Sequence, residues 1–282
     1  MTSMQRLLLI PFALLFAISC SSTSQMHDHP TLQSTLWVQN AAEYDALAYQ
    51  AYASAEYYLE AALSDSEWTA STDQVDMDLS ALPPAVVLDI DETVLDNSAF
   101  QARMIEQGSE FNPQEWTLWV KEANATAVPG ALQFTNRAAQ MGIEVIYLSN
   151  RDAGTEAETR KNLEELGYPL FESDDAVLLQ NERPGWTSAK TERRNYVASQ
   201  YRILMLFGDD LNDFFYAKEM SEQERDRLTT IYGDYWGKRW FILPNPVYGS
   251  WVDAMLDFES GLTEEERRAI LIQNLESLTE SP

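Results

Sequence analysis

The run Val86-Val87-Leu88-Asp89-Ile90-Asp91-Glu92-Thr93 constrains this chain more than any other stretch. Aliphatic residues of strand character end abruptly in two aspartates with one residue between them. In an extended strand alternate side chains share a face, so Asp89 and Asp91 would point together only if the strand ran through both. Charged groups do not belong in a buried strand, so a turn is expected there. The carboxylates then sit just past the carboxyl end of a central parallel strand, the edge where open α/β sheets place their ligand sites. Adjacent carboxylates repel unless a cation or a shared proton compensates. The pair points either to a hard metal such as Mg²⁺ or to a split between acid and nucleophile.

The rest of the chain supplies the sheet that such an edge needs. Pro83-Pro84 opens the central strand, since proline is tolerated at a strand's first residue. From Ala131 the pattern alternates as βα units do. Helices are expected over Ala131–Gln140, Thr155–Leu166 and Thr187–Gln200, and strands over Ile143–Leu148, Ala176–Leu179, Ile203–Phe207 and Trp240–Leu243. Thr263, followed by three glutamates, opens a C-terminal helix through about Leu278. Upstream, Leu36–Leu63 carries aromatic and alanine residues at helical spacing, which reads as a packing face. Ser64–Ser80 is a polar connector. Between Asn97 and Val128 lies a polar and aromatic stretch too long for a simple connection, so it is expected to be an insertion near the site. Trp116 and Trp119 lie three apart on a helix there. They either anchor the insertion or stack against an aromatic part of a substrate.

Charge and the N-terminus bound the setting. Of 282 residues, 45 are acidic and 19 basic, a formal net charge of -26. That argues against binding of a nucleic-acid polymer, which depends on basic surface. It also means that any phosphate chemistry needs local cations or a metal. Arg6, the apolar run Leu7–Ile18 and Ser19-Cys20 form a secretory signal too short to span a membrane comfortably. Cys20 is the only cysteine, so no internal disulfide exists. Leu15–Cys20 resembles a bacterial lipoprotein signal, with Ala17 where a larger aliphatic is usual; Cys20 would carry the lipid. Residues 1–19 are then signal, 20–35 a flexible tether and 36–80 an N-terminal helical region. His27 and His29 flank Asp28 in the tether and read as surface residues rather than a metal site.

Three strands end in chemistry: Asp89 with Asp91, Ser149, and Asp209. Carboxylates from two strands, plus a backbone carbonyl, can hold an octahedral Mg²⁺. Asp89 can then attack phosphorus, and Asp91 can give a proton to the leaving oxygen and later take one from water. Ser149 offers a hydroxyl to a phosphoryl oxygen. Lys190 is the best placed cation, with Arg193 and Arg194 close by in sequence.

The long form of these motifs carries a resemblance. Asp89-Ile90-Asp91-Glu92-Thr93-Val94-Leu95 with Gly208-Asp209-Asp210-Leu211-Asn212-Asp213-Phe214 resembles the paired signature of class C acid phosphatases, the bacterial lipoprotein e group of the haloacid dehalogenase (HAD) superfamily. Leu36-Trp37-Val38-Gln39, Val128-Pro129-Gly130-Ala131, Leu148-Ser149-Asn150-Arg151 and Pro244-Asn245-Pro246-Val247-Tyr248-Gly249 add to it. The resemblance implies an α/β fold: a Rossmann-like core with a parallel sheet flanked by helices, plus a smaller, mostly helical accessory region. The core would span 81–262, with the insertion at about 97–128, and 263–282 would be a C-terminal helix and tail. Asp89 is implied as nucleophile and metal ligand, Asp91 as acid/base with its carbonyl on Mg²⁺, and Asp209 as metal ligand. Ser149, Asn150 and Lys190 are implied to bind phosphate, with Thr93, Asp213 and Arg151 in support. Asp210 departs from the Asn, Ser or Thr common there, and would add an acid beside the metal.

The reading is an exported, Mg²⁺-dependent acid phosphatase, anchored by lipid to a bacterial membrane, with the outer membrane expected. It would act on small phosphomonoesters, 5′-nucleotides and aromatic phosphates among them, through an aspartyl-phosphate. A homodimer is compatible with it. The alternatives are a non-catalytic surface binding lipoprotein, against which the presence of Asp89 counts, and phosphoryl transfer to an alcohol.

Overall fold

A computed structural model of the chain describes residues 29–171 and 175–275. The signal sequence, His27 and Cys20 lie outside the described residues. Among those described, no helix is long and apolar enough to cross a membrane.

Five parallel strands form the sheet in the order β5-β4-β1-β6-β7. They are β1 (Pro84–Leu88), β4 (Glu144–Asp152), β5 (Val177–Gln180), β6 (Arg202–Gly208) and β7 (Trp240–Ile242). The central β1 pairs Val87 with Ile146 on one side and with Leu206 on the other. Alternation sorts its side chains: Val86 and Leu88 enter one apolar layer, Ala85 and Val87 the other. The first layer is closed by α2 (Ala42–Ser64), α5 (Ala131–Gln140) and α6 (Glu156–Leu166), through Tyr52, Ala55, Leu59, Phe134, Ala138 and Leu163. The second is closed by α7 (Thr191–Ala198) and by the aromatic cluster around Trp240. Helices on both faces explain why the strands read as near-continuous apolar runs. The expected α/β architecture is the one observed.

The observed elements depart from the sequence reading in four places. The tether is shorter than expected, because α1 (Leu32–Asn40) already begins at Leu32. The chain then bends at Ala41, which is extended, before α2 starts. No glycine or proline marks the bend; Trp37 and Tyr44 pack edge to face across it, 5.8 Å apart. The expected helix 187–200 begins only at Thr191, because the preceding residues form the loop that delivers Lys190. Two helices were not anticipated, α8 (Glu222–Ile231) and the short α9 (Ser250–Met255). The expected C-terminal helix is α10 (Glu264–Gln273), with Thr263 accepting from the Glu266 N–H in a capping box.

The insertion is closed at its base by a two-stranded ribbon, β2 (Leu95–Asp96) against β3 (Thr126–Ala127). Between these strands lie α3 (Ser98–Gln107) and α4 (Pro113–Glu122). Asn112 caps α4 by accepting from the Gln114 and Glu115 N–H groups, with Pro113 at the first turn.

Candidate active site

The turn expected after Leu88 is present. The N–H groups of Val94 and Leu95 both return to the Ile90 carbonyl, at 2.9 and 2.8 Å. Two buried tyrosines hold this loop from outside: Tyr52 donates to the Thr93 carbonyl at 2.7 Å and Tyr168 to that of Val94 at 2.6 Å. Glu92 adopts a left-handed backbone (φ 57°), unusual for a residue with a side chain. Its carboxylate fixes it there, accepting from the Asn97 N–H at 3.0 Å and from the Tyr248 hydroxyl.

The loop presents Asp89 and Asp91 to different surroundings. Asp89 is 8% exposed and meets the Lys190 ammonium at 2.5 Å. The same ammonium contacts Asp213 Oδ1 at 2.5 Å. Carboxylate oxygens of Asp89, Asp209 and Asp213 lie within 4.8 Å of one another. Asp209 is steadied by the Asn245 amide at 2.7 Å. Gly208 is required for this packing, since a Cβ there would overlap the Asp213 side chain.

Burial pushes the Asp89 carboxyl up to about 7, against the downward pull of Lys190. Burial also raises Asp209, with Asp89 and Asp213 adding repulsion, and it raises Asp213. Burial works to lower Lys190, but Asp213 and Asp89 outweigh it and the ammonium is held charged. The cluster is therefore short of positive charge. An oxygen-only donor set in that condition fits a hard divalent cation.

Asp91 is held by a different set of partners, although its charge adds to the repulsion on Asp89. One of its oxygens accepts from Asn97 Nδ2 at 2.9 Å and from Arg151 Nη2 at 2.8 Å. The other accepts from the Ser149 hydroxyl at 3.2 Å and from Arg151 Nε at 3.3 Å. Arg151 is 2% exposed. Both Asp91 carboxylate oxygens are thus taken up by donors from Asn97, Ser149 and Arg151.

The structure groups Asp89, Lys190, Asp209 and Asp213 in one cluster, and Asp91, Ser149 and Arg151 in another. Thr93 is fully buried, with no partner for its hydroxyl among the described residues. Asn150 is engaged elsewhere: its amide donates to the Ser188 carbonyl at 3.0 Å and its oxygen accepts from Arg193 at 2.5 Å. Arg193, fully buried, also donates to the carbonyls of Ser149 and Thr187, tying the end of β4 to the Lys190 loop. Arg194 donates to the Asn212 carbonyl, so of these neighbouring cations Lys190 is the one that reaches Asp89.

Two expectations need correction. Trp119 cannot act as a stacking platform: it is 3% exposed, and its indole N–H donates to Asn97 Oδ1 at 2.8 Å. Trp116 is half-buried and lines a cleft with Pro113, Asn150, Asp152 and Gln180, so stacking there stays sterically open. Asp210 does not add a carboxylate to the metal cluster. It turns to Ser250, accepting from its N–H at 2.6 Å and its hydroxyl at 2.7 Å, and it caps the short helix Leu211–Asp213. Arg225 donates to the same Ser250 hydroxyl at 2.8 Å and balances the charge.

Residues missed in the sequence are Glu92, Asn97, Arg193 and Asn245. Glu92 and Asn245 lie inside quoted motifs, which was the available signal. Arg193 was visible only as a cation near Lys190, and Asn97 gave no signal, since their partners come from other elements.

The model of the HAD superfamily, subfamily IIIB (acid phosphatase), matches residues 18–251. A class C acid phosphatase from Bacillus anthracis has a similar structure, with a TM-score of 0.77, 34% identity, and coverage of 90% of this chain and all of that one. The same enzyme with tungstate bound gives a TM-score of 0.78 at 33% identity, covering 92% and 99%. Among curated sequences, a stem 28 kDa glycoprotein of Glycine max is 30% identical over 168 residues, 57% of this chain and 58% of the relative. Acid phosphatase 1 of Solanum lycopersicum is 26% identical over 165 residues, 57% of each. The chain thus matches a little over half the length of these curated relatives. It belongs to the HAD superfamily, subfamily IIIB, the acid phosphatase subfamily. Within that family the solved relatives to which it is similar are class C acid phosphatases.

Proposed function

We propose that this protein is a Mg²⁺-dependent acid phosphatase that works through an aspartyl-phosphate on Asp89. The observation that carries the reading is the Lys190 ammonium, 2.5 Å from both Asp89 and Asp213 inside the three-acid cluster. A lysine so placed screens the nucleophile and can meet a phosphoryl oxygen. Asp89 attacks phosphorus as the ester bond breaks. Asp91 gives its proton to the departing oxygen, then takes one from the water that cleaves the acyl phosphate. Ser149 and Lys190 hold the transferred group. Asn150, bonded to Arg193, shapes that end of the site. Asp89, Asp209 and the Asp91 backbone carbonyl would hold Mg²⁺, which supplies positive charge against the phosphate. Retention of Asp89 in the cluster speaks against a purely binding role.

The substrates proposed are small phosphomonoesters, 5′-nucleotides and aromatic phosphates, with Trp116 beside the leaving group. The related Bacillus anthracis enzyme was solved with tungstate, a tetrahedral oxyanion, so tungstate should compete here too. The test is phosphate release from nucleotides and p-nitrophenyl phosphate, with and without Mg²⁺, in wild type and Asp89→Asn. Equal turnover in the two proteins would end the nucleophile assignment. Export and lipidation at Cys20, with an outer-membrane address, form a separate proposal. Cys20→Ser should release the protein from membranes, and a processed variant still in the membrane fraction would refute it.

A further inference from the structure

We infer that Asn97 and Trp119 form the positioning unit for the acid Asp91, so that the helical insertion sets the direction of proton donation. This rests on the acid role proposed for Asp91 and deepens it.

Asn97 is fully buried, and every polar atom of its side chain is engaged. Its Oδ1 accepts from the Trp119 indole N–H at 2.8 Å and faces Arg151 Nη2 at 3.4 Å. An indole N–H and a guanidinium can only donate. They identify that end of the amide as the oxygen, which settles the flip that distances alone leave open. The NH₂ end must then point at Asp91, and it does, 2.9 Å from Oδ1. The Asn97 backbone N–H is tied to Glu92 Oε1 at 3.0 Å, so the residue cannot swing as a whole.

Trp119 is itself fixed from outside. The Arg103 guanidinium lies 4.8 Å over its ring, and Phe100 packs at 6.3 Å. Arg103 in turn makes a two-pronged contact with Glu122 at 2.5 and 2.7 Å. A continuous path runs from an ion pair on the insertion, through the indole and the amide, to one oxygen of the acid. Arg151 holds the same carboxylate but from a different element, β4. Asn97 is the donor that the insertion supplies.

The chemistry makes this unit visible. As the bond from phosphorus to the ester oxygen breaks, the electron pair goes to that oxygen and the proton comes from Asp91. An alkoxide departs only with that proton, whereas p-nitrophenolate departs without one. A misdirected acid should therefore penalise alkyl phosphates and spare p-nitrophenyl phosphate.

The experiment compares kcat/KM for an alkyl phosphate and for p-nitrophenyl phosphate, at saturating Mg²⁺, in wild type, Asn97→Ala, Trp119→Phe and Asp91→Asn. Trp119→Phe removes the N–H and keeps a ring, so it stays informative if Asn97→Ala folds poorly. We expect Asn97→Ala to lose about 30-fold on the alkyl ester and about 3-fold or less on the nitrophenyl ester, within the span of acid catalysis. Trp119→Phe should show the same selectivity at roughly a third of the size, as expected for one lost hydrogen bond. Equal losses on both substrates, with Asp91→Asn selective, would reduce Asn97 to a packing role and overturn the inference alone. A non-selective Asp91→Asn would overturn the acid assignment beneath it, and the inference with it.

Discussion

Asp89 and Asp91 leave the same strand, yet they inhabit opposite electrical environments. Asp89 sits among carboxylates with one lysine, and burial lifts it to about 7. Asp91 sits among donors: an amide, a hydroxyl and a guanidinium. The first environment belongs to the sheet edge, the second largely to the insertion and the end of β4. The difference shows how one short loop can give two carboxylates distinct surroundings, as the separate tasks proposed for them require. One is left needing a cation before it can act, and the other is aimed by hydrogen bonds.

The sharpest way to break this contrast is to neutralise the nucleophile. Asp89→Asn should cost at least ~10³-fold in kcat/KM on every ester alike, because covalent catalysis has no substitute here. Chelation, or Asp209→Asn, should follow with about 10²-fold or more, and added Mg²⁺ should restore the chelated wild type but not the variant. Lys190→Met should abolish phosphate-dependent protection and also destabilise the fold by about 3 kcal/mol, since it leaves buried carboxylates without their partner. Thermal melts of wild type and variant, with and without phosphate, measure both.

A subtler test uses pH on the metal-free protein. Asp89 is raised to about 7 in the fold, against about 3.9 for an unfolded aspartate. A group raised in this direction binds more protons folded than unfolded, so its contribution is present at low pH and lost as pH rises through that window. The melting gap between chelated wild type and Asp89→Asn should therefore shift in favour of the variant between about pH 4 and pH 7. A gap independent of pH would mean that the acid cluster is not short of positive charge. The smallest effect is expected at Asp210. Asp210→Asn should cost about 1 kcal/mol of stability through its contacts to Ser250, and leave Mg²⁺ affinity within about 2-fold. A large change in the Mg²⁺ requirement would put Asp210 back in the metal site.

Much of this was legible in the sequence, and the part that was not has a common cause. Strand-end residues were readable because an apolar run stopping at Asp89, Ser149 or Asp209 places its next side chain at a sheet edge whatever the rest does. Lys190 was found by the need for a cation, and Thr263 by its own capping pattern. Trp119 was read as a candidate for stacking because spacing shows a helix face but not where an indole N–H points. Asn97 was invisible for the same reason: its partners come from the insertion, from β4 and from its own loop. Helix α8 was missed although Ser221 and Glu224 form a capping box. It has almost no apolar stripe, and Arg225 is its one buried residue. The bend at Ala41 is held by tertiary packing of Trp37 on Tyr44, which no local signal announces.

The most direct test of the account is to trap the covalent intermediate. Enzyme mixed with a fast substrate should be quenched in acid, reduced with borohydride and mapped by mass spectrometry. Reduction of an aspartyl-phosphate leaves homoserine, and the account predicts it at position 89 in wild type and nowhere in Asp89→Asn. Homoserine at another aspartate, or rapid turnover with no modified residue, would contradict it.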